Sequence, residues 1–268
     1  MKMRESKVLQ KLRAGQTASC FKVNIADAVS TEIAAMSGFD CVWVDQEHLA
    51  QNWSVYSAHV WASKAHNMDL MVRIPRGSYS DYVKPLELDA TGILVPHVMG
   101  VEDAKKIIEM TRFYPIGRRA MDGGSADGAY TNMDFHEYLA DANKQRFVVF
   151  QIEDVEALDE LDQIAELEGF DMLFFGPGDF SQSIGKPGDW TNPILLDARK
   201  KVAEVARKHG KFAATTGGIG MLDEFKDMGY QFINVGADVV GMSAYCNGLI
   251  SQFNKSVALA GSGLESYK

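Results

Sequence analysis

A cluster of polar residues directly follows one of the apolar stretches of the chain, and it contains Asp45, Glu47 and His48. Acidic residues and histidines are rarely buried completely unless they are paired, so the cluster predicts a strand that ends at a surface or cleft. A neutral imidazole can take up a proton near pH 7, which makes His48 a candidate general base. A lone histidine is more often structural, and His97 is the one rival among the other histidines.

Two further acidic residues, Glu153 in FQIEDVEAL and Asp179 in FFGPGDFSQSIG, also follow apolar runs. Two carboxylates from neighbouring strand ends, completed by water and substrate oxygens, suit a hard divalent cation. A structural alternative stays open for each residue. Glu153 lies where a helix could begin, and Asp179 could cap the turn after Gly178. The sequence therefore offers a candidate metal site beside two candidate capping residues.

Arg73 in VRIPRG ends another apolar run. A guanidinium there could bind a substrate carboxylate through two parallel hydrogen bonds, or form a salt bridge across the rim of the fold. The glycine-rich TTGGIG, residues 215–220, could bind phosphate, but it has no lysine and favours a tight turn into a helix. The long segment 114–130 contains several glycines and two arginines. Such a segment is typical of a lid or an interface.

Eight short runs predict the strands that must position these side chains, and most lack strict alternation, as parallel strands buried on both faces do. The runs are residues 18–24, 41–45, 70–74, 92–96, 147–153, 171–175, 211–216 and 232–237. Helical patterns lie between them, at residues 25–37, 101–113, 194–210 and 222–230. The first helix would present an apolar face formed by Ile25, Val29, Ile33 and Met36.

Strand and helix alternate eight times within about 250 residues, the length of a typical barrel. This pattern predicts a single (β/α)8 TIM barrel that spans residues 1–268 and ends in a helical tail. A doubly wound open sheet is the alternative, but no G-x-G-x-x-G motif follows the first run. Active sites of such barrels lie at the carboxyl ends of the strands, so the candidate residues should converge on one mouth.

Composition narrows the function classes. The formal net charge of −9 and the isoelectric point near 5.2 argue against an electrostatic nucleic-acid binder. Three scattered cysteines make neither a disulfide framework nor a zinc pattern, which fits a reducing cytoplasm. The charged amino terminus does not look like a signal peptide, and no stretch approaches the roughly 18 apolar residues of a membrane span. We therefore expect a cytoplasmic protein without a membrane or nucleic-acid partner.

Taken together, these stretches resemble the HpcH/HpaI family of class II, metal-dependent pyruvate aldolases, from about residue 24 to residue 240. GFDCVWVDQEHLAQ is similar to the family's GFD-x-x-x-x-D-x-EH stretch, and LMVRIPRG and GILVPHV to its third and fourth strands. FYPIGRRA resembles its YPP-x-G-x-RG loop, and FQIEDVEAL and GPGDFSQSIG its Q-x-E and GP-x-DLS signatures. Each motif alone is weak, but their order and spacing together are specific.

The resemblance implies a role for each candidate. Glu153 and Asp179 would bind Mg²⁺, Mn²⁺ or Co²⁺, and the 2-oxoacid would chelate that ion. Arg73 would bind pyruvate oxygens, and the pocket would be completed by Gln151 and the segment Gly176, Pro177, Gly178 and Asp179. His48, oriented by Asp45 and Glu47, would accept the C4 hydroxyl proton of a 4-hydroxy-2-oxoacid. The C3–C4 bond then breaks to an aldehyde and a metal-stabilised pyruvate enolate.

One departure from the family pattern concerns the stretch before strand four. The family usually has LDAGA there, and its Asp partners the catalytic histidine across a subunit boundary. Here LELDA, residues 86–90, puts Glu87 at that position, so Glu87 becomes the candidate catalytic partner with altered geometry. The resemblance also implies a homo-oligomer, a hexamer or a trimer. Candidates for contact with the aldehyde end are Trp53, Tyr79, Arg118 and Arg119.

Three alternatives stay open at this point. A related barrel lyase of the citramalyl- or malyl-CoA type would share the metal pair, but would carry a more basic surface than this chain offers. A barrel that binds a 2-oxoacid without turning it over is the second, and the departure at Glu87 keeps it open. The third is a phosphate-binding isomerase that uses TTGGIG without a metal.

Overall fold

Eight parallel strands close into one barrel in the computed structural model, which describes residues 1–262. Each strand pairs with the next along the chain, and the last pairs with the first. The strands are β1 (Ala18–Val23), β2 (Cys41–Asp45), β3 (Asp69–Arg73), β4 (Gly92–Val95), β5 (Phe147–Ile152), β6 (Met172–Phe175), β7 (Phe212–Thr216) and β8 (Tyr230–Ala237). The predicted (β/α)8 barrel and all eight predicted strands are confirmed.

Helices follow the strands and cover the barrel. They are α1 (Lys7–Arg13), α2 (Val29–Met36), α3 (Trp53–Ala65), α4 (Tyr79–Glu87), α5 (Val101–Thr111), α6 (Phe135–Gln145), α7 (Val155–Asp159), α8 (Leu161–Glu166), α9 (Pro177–Ser183), α10 (Pro193–Lys208), α11 (Leu222–Met228) and α12 (Asp238–Ser262). Short 3₁₀ helices occupy Ala126–Thr131 and Ile219–Met221. The second confirms TTGGIG as a tight turn into a helix.

Two large apolar clusters make up most of the hydrophobic core. Outward-facing strand residues pack with the surrounding helices, for example Val42 and Val72 against Tyr56. Inward-facing residues such as Trp43 and Phe174 fill the barrel together with residues of α1, which lies at the amino-terminal end of the strands. Residues two positions apart on a strand point to the same face of the barrel. A polar residue that lies two positions after an inward-facing apolar residue therefore also points inward, and at the carboxyl end of the strand it faces the mouth.

The predicted helix 25–37 begins later than expected, at Val29, and its large apolar residues do not face the barrel. Val29, Ile33 and Met36 are 53%, 59% and 72% exposed, and the helix instead buries Thr31 and Ala34. The small residues let α2 lie close to the barrel, and the large ones point away from it. None of the helices within residues 1–262 is both long and apolar enough to cross a bilayer.

Candidate active site

The β1–β3 side of the mouth is organised around Asp45, which is completely buried at the end of β2. Its carboxylate accepts two hydrogen bonds from Arg73, from Nε to Oδ1 at 2.9 Å and from Nη2 to Oδ2 at 2.5 Å. Lys22 reaches Oδ2 from β1, with Nζ 2.9 Å away. The backbone N–H of Glu47 also donates to Oδ1. All of the Asp45 carboxylate is therefore held by donors.

This arrangement fixes the charge state of Asp45. Burial alone would raise the pKa of a carboxyl group, but hydrogen bonds from Arg73 and the charges of Arg73 and Lys22 outweigh it and lower the pKa of Asp45 to about 2. Arg73 is 4% exposed, and its Nη1 lies 3.0 Å from Oε2 of Glu47. The side thus carries two cations and two carboxylates in direct contact.

The β4–β6 side is organised around Glu153, which follows β5 and is also completely buried. Oε1 accepts a hydrogen bond from the backbone N–H of His97 at 3.0 Å, and Oε2 accepts one from Nε2 of Gln151. Gly176 must lack a side chain here, because a Cβ atom at that position would lie 2.5 Å from Glu153 Oε2. The buried Oε1 of Gln151 has no partner among the described residues.

His97 connects three acidic side chains on this side of the mouth. Its Nδ1 lies 2.9 Å from Asp154 Oδ2 and 3.7 Å from Glu153 Oε1, while its Nε2 lies 3.5 Å from Glu47 Oε1. The backbone of His97 has φ 49°, in the left-handed region that residues with a Cβ rarely adopt. In this conformation the N–H of His97 donates to Glu153. His97 therefore belongs to the site, although the sequence offered it only as the alternative to His48 as the base.

The carboxyl group of Glu153 is not matched by enough positive charge. Burial raises its pKa, His97 opposes the rise, and the carboxylates of Asp179 and Glu47 add to it, so that the pKa of Glu153 lies at about 7. Asp179, in the first turn of α9, is close enough to contribute to this shift. A buried carboxylate next to two others is a place where a cation would be favourable.

His48 lies at the surface of the mouth, with 60% of its side chain exposed. Its nearest carboxylate is Glu47, whose Oε2 lies 3.6 Å from Nε2. The prediction that Asp45 orients His48 is not supported by a contact, because the hydrogen bonds of Asp45 go to Arg73, Lys22 and Glu47. Asp45 serves the arginine instead.

Glu87 ends α4 and lies apart from the residues of the mouth. It lines a pocket of about 450 Å³ together with Trp53, Lys84 and Tyr130. Burial raises the pKa of Glu87, Arg119 opposes this, and Asp127 adds to it. Among the described residues of this chain, no hydrogen bond or ion pair joins Glu87 to His48, so a shared role would need a second chain.

The loop candidates for the aldehyde end occupy different environments. Arg119 is buried, and its Nη2 binds Asp127 Oδ2 at 2.7 Å, so it stabilises its own loop. Tyr79 accepts a hydrogen bond from the N–H of Ala120 and ties α4 to that loop. Arg118 is exposed next to Glu109. Of these residues, Arg119 is too enclosed to reach a ligand from this position.

Sequence reasoning missed Lys22 altogether. The signal was available, because Lys22 shares the inward face of β1 with Ala18 and Cys20, and a lysine at the end of such a face must meet the mouth. Its ammonium also lies 4.7 Å from the centre of the Trp43 ring, and Arg73 lies 4.9 Å from the same ring. Both cations that bind Asp45 therefore also lie within 5 Å of the centre of one indole ring.

A family model described as HpcH/HpaI aldolase/citrate lyase matches residues 19–244. The chain belongs to the HpcH/HpaI aldolase/citrate lyase family. The 4-hydroxy-2-oxovalerate aldolase of Rhodococcus jostii is 31% identical over 234 residues, which make up 86% of this chain and 86% of that protein. The hydroxypyruvate/pyruvate aldolase of Roseovarius nubinhibens is 29% identical over 80% of this chain and 84% of its own. The crystal structure of citrate synthase SbnG superposes with a TM-score of 0.85 at 27% identity, over 94% of this chain and 98% of that one.

These comparisons confirm the predicted enzyme class. The chain is a carbon–carbon lyase of the pyruvate aldolase type, the class that acts on 4-hydroxy-2-oxoacids. HpcH/HpaI aldolases generally depend on a divalent metal. The described residues contain no group of three or more His, Cys, Asp and Glu side chains arranged as a metal cluster.

Proposed function

We propose that this chain cleaves a 4-hydroxy-2-oxoacid to pyruvate and an aldehyde, using a divalent cation held by Glu153 and Asp179. The single observation that carries this proposal is the contrast in the mouth between a paired arginine and an unmatched buried carboxylate. Arg73 offers a binding site for the anionic end of a 2-oxoacid, and Glu153 offers a binding site for a cation. A 2-oxoacid is a ligand that can use both.

The residues present fit a hard cation such as Mg²⁺ or Mn²⁺, with Co²⁺ as a further candidate. The side-chain atoms proposed as ligands are all oxygens. They are the carboxylate oxygens of Glu153 and Asp179 and the Oε1 of Gln151, which has no partner among the described residues. Two carboxylates leave room for water and for substrate oxygens, as expected of a catalytic site. When bound, the cation would stabilise the negative charge that develops on the oxygens of the pyruvate half.

The chain's own residues bind and orient the 2-oxoacid. Arg73 has N–H groups left on Nη1 and Nη2 after its contacts with Asp45 and Glu47, and these suit a carboxylate. Gln151, 3% exposed in the barrel, adds an amide beside Glu153. The segment Gly176, Pro177, Gly178 and Asp179 enters α9 next to Glu153 and would close the pocket around the pyruvate carboxylate.

Proton transfer falls to His48. Its exposed imidazole at the rim can accept the proton of the C4 hydroxyl group, either directly or through a water molecule. Loss of that proton drives cleavage of the C3–C4 bond, and the electron pair passes to the pyruvate half. Glu47, 3.6 Å from His48, stabilises the imidazolium that forms. Glu87 would contribute only to the site of a neighbouring copy.

We infer that the chain forms a homo-oligomer through α12 and α2. The helix α12 leaves the barrel after β8 and exposes Val240, Tyr245 and Phe253 at 63–66% each. An apolar groove of about 490 Å³ runs between α2 and the start of α12, with Ile33 and Met242 in its lining. In a trimer or hexamer, packing of α12 from one copy against the groove of the next would bury both surfaces. Tyr245→Glu should lower the mass measured by light scattering, while Trp61→Glu on α3 should leave it unchanged.

Three broader expectations complete the proposal. Residues 1–268 would form one barrel domain with α12 in its carboxyl-terminal tail, of which residues 263–268 lie outside the described part. The enzyme would work in the cytoplasm, where free thiols such as the buried Cys20 and Cys41 stay reduced. Its partners would be small molecules, a 2-oxoacid and an aldehyde.

The test is a coupled assay of pyruvate release over a panel of 4-hydroxy-2-oxoacids, with and without EDTA. We expect release from at least one compound, loss with EDTA and recovery with Mn²⁺ or Mg²⁺. Release that resists chelation and survives Glu153→Ala would contradict the metal role.

The second candidate function is a CoA-thioester lyase, and adding CoA thioesters to the same panel distinguishes it from the aldolase. The matching family is described as HpcH/HpaI aldolase/citrate lyase, and the second part of that description supports this candidate. Release of acetyl-CoA from a citramalyl- or malyl-CoA thioester, without pyruvate release from any free 4-hydroxy-2-oxoacid, would favour it. Binding of pyruvate without turnover of either class would indicate a silent binder.

A further inference from the structure

Lys22 lies at the mouth, but neither the sequence motifs nor the aldolase mechanism uses it. Its side chain is 19% exposed, yet its ammonium contacts a carboxylate that is wholly buried. A lysine can reach water from such a position, so burial alone does not force this contact. The ammonium instead lies against Asp45 Oδ2, the same oxygen that accepts a hydrogen bond from Arg73 Nη2. Asp45 is thus shared between two cations.

A count of charges shows what the lysine adds. Lys22 and Arg73 together carry two positive charges, and Asp45 and Glu47, in contact with them, carry two negative charges. The group is neutral as it stands and would be net negative without Lys22. A 2-oxoacid is an anion, so removal of Lys22 would turn the side that receives its carboxylate repulsive.

The position of the lysine also affects geometry. Arg73 binds both carboxylate oxygens of Asp45, and Lys22 also binds Oδ2, so two cations hold this carboxylate. Both cations lie against the same Trp43 ring, with Lys22 Nζ 4.7 Å and Arg73 Cζ 4.9 Å from its centre. The indole therefore supports both cations beside Asp45.

We propose that Lys22 is a positioning residue for Arg73, which acts through Asp45 to keep the guanidinium oriented and its charge available to an anionic 2-oxoacid. This inference rests on the proposed role of Arg73 in binding that substrate. A purely structural lysine would affect unfolding alone. A positioning lysine affects the affinity for the anion, and affects it in a way that Asp45 controls.

The experiment measures the binding of oxalate, a planar dianion that resembles the pyruvate enolate, to the Mn²⁺-loaded protein by calorimetry. Lys22→Met should weaken oxalate binding by at least about tenfold, which corresponds to about 1.4 kcal/mol. It should raise KM for the oxoacid more than it lowers kcat. Lys22→Arg, which keeps the charge, should restore most of the affinity. Lys11→Met is the matched control, because it removes a lysine 2.8 Å from Asp40, before the amino-terminal end of β2, and should bind oxalate normally.

Further variants separate the explanations. Lys22→Gln keeps a hydrogen-bond donor without the charge and should bind oxalate as weakly as Lys22→Met. Asp45→Asn and the double variant Lys22→Met/Asp45→Asn complete a double-mutant cycle, and the two losses of oxalate affinity should be non-additive because Lys22 acts through Asp45. Additive losses would overturn action through Asp45 and show that Lys22 contacts the ligand itself.

Normal oxalate affinity in either neutral variant, with thermal unfolding confirming the fold, would overturn the role of Lys22 and leave the proposed function intact. Failure of the wild-type protein to bind oxalate or pyruvate with Mn²⁺ present would overturn both. The two failures are therefore distinguishable.

Discussion

The two sides of the mouth solve the problem of buried charge differently. On the β1–β3 side, the carboxylates Asp45 and Glu47 are matched by Arg73 and Lys22, all within 3.0 Å of a partner. On the β4–β6 side, Glu153 receives only an amide N–H, a glutamine and the nearby His97, while other carboxylates surround it. The first side is electrostatically neutral, and the second carries surplus negative charge that a cation would neutralise.

In the proposed reaction, the β1–β3 side would bind the substrate and the β4–β6 side would bind the cation. A complete ion-pair cluster resists rearrangement and suits the binding of a substrate of fixed charge. An incomplete one binds its cation with the substrate's oxygens as additional ligands. The 2-oxoacid would lie between them, so each side can be broken separately.

The largest effect should come from the incomplete side. Glu153→Gln keeps the shape of the side chain and removes its charge, and should lower pyruvate release by about a thousandfold or more, since a bound cation supplies several kcal/mol of charge stabilisation. The coupled assay measures it. Glu156→Gln on the exposed side of α7 is the control and should retain activity. Near-normal activity of Glu153→Gln would remove the contrast between the two sides.

The base at the rim should come next. His48→Asn should lower kcat by about a hundred- to a thousandfold, the usual contribution of one general base, with oxalate affinity nearly unchanged. His136→Asn, at an exposed position on α6, controls for the loss of a surface histidine. Equal losses in kcat and in oxalate binding would mean that His48 helps to build the site rather than to transfer a proton.

The complete side should show a smaller effect that is confined to binding. Arg73→Lys keeps the charge but loses the planar fork, and should raise KM by about ten- to a hundredfold. Steady-state kinetics check this, with Arg76→Lys as control, since Arg76 pairs with Asp103 and donates to the carbonyl oxygen of Pro96 without contact to Asp45 or Glu47. A fall in kcat without a change in KM would contradict the assignment of Arg73 to substrate binding.

The smallest effects concern stability, and the two sides should respond to pH with opposite signs. Asp45, with its pKa lowered to about 2, adds stability above the pKa of an unfolded Asp, and that stability is lost as pH falls toward 2. Glu153, with its pKa raised to about 7, adds stability at low pH, and that stability is lost as pH rises through 7.

Thermal unfolding of the metal-free protein from pH 3 to pH 8 measures both changes. Asp45→Asn should flatten the acid side of the profile, and Glu153→Gln should flatten the side near neutral pH. Added Mn²⁺ should restore the stability lost near pH 7. A metal-free wild-type profile that is level from pH 5 to pH 8 would contradict the account of Glu153.

The sequence predicted the barrel because strand runs and helical patterns alternate regularly, and it predicted the mouth because Arg73 and Glu153 end such runs. It could not predict which acid pairs with which cation. Asp45 and Glu153 look alike in the chain, and only the closure of β1 beside β2 brings Lys22 to one of them. Nor could the sequence predict that the large apolar residues of α2 are exposed, because an apolar stripe does not tell whether it covers its own barrel or another copy.

The most direct test of the contrast between the two sides is Mn²⁺ binding to the metal-free protein at pH 8, followed by calorimetry or electron paramagnetic resonance. We predict one site per chain in the wild type and in Lys22→Met and Glu156→Gln, no site in Glu153→Gln, and pyruvate release that rises in proportion to occupancy. Stoichiometric Mn²⁺ binding by Glu153→Gln, or full pyruvate release without bound metal, would contradict the account.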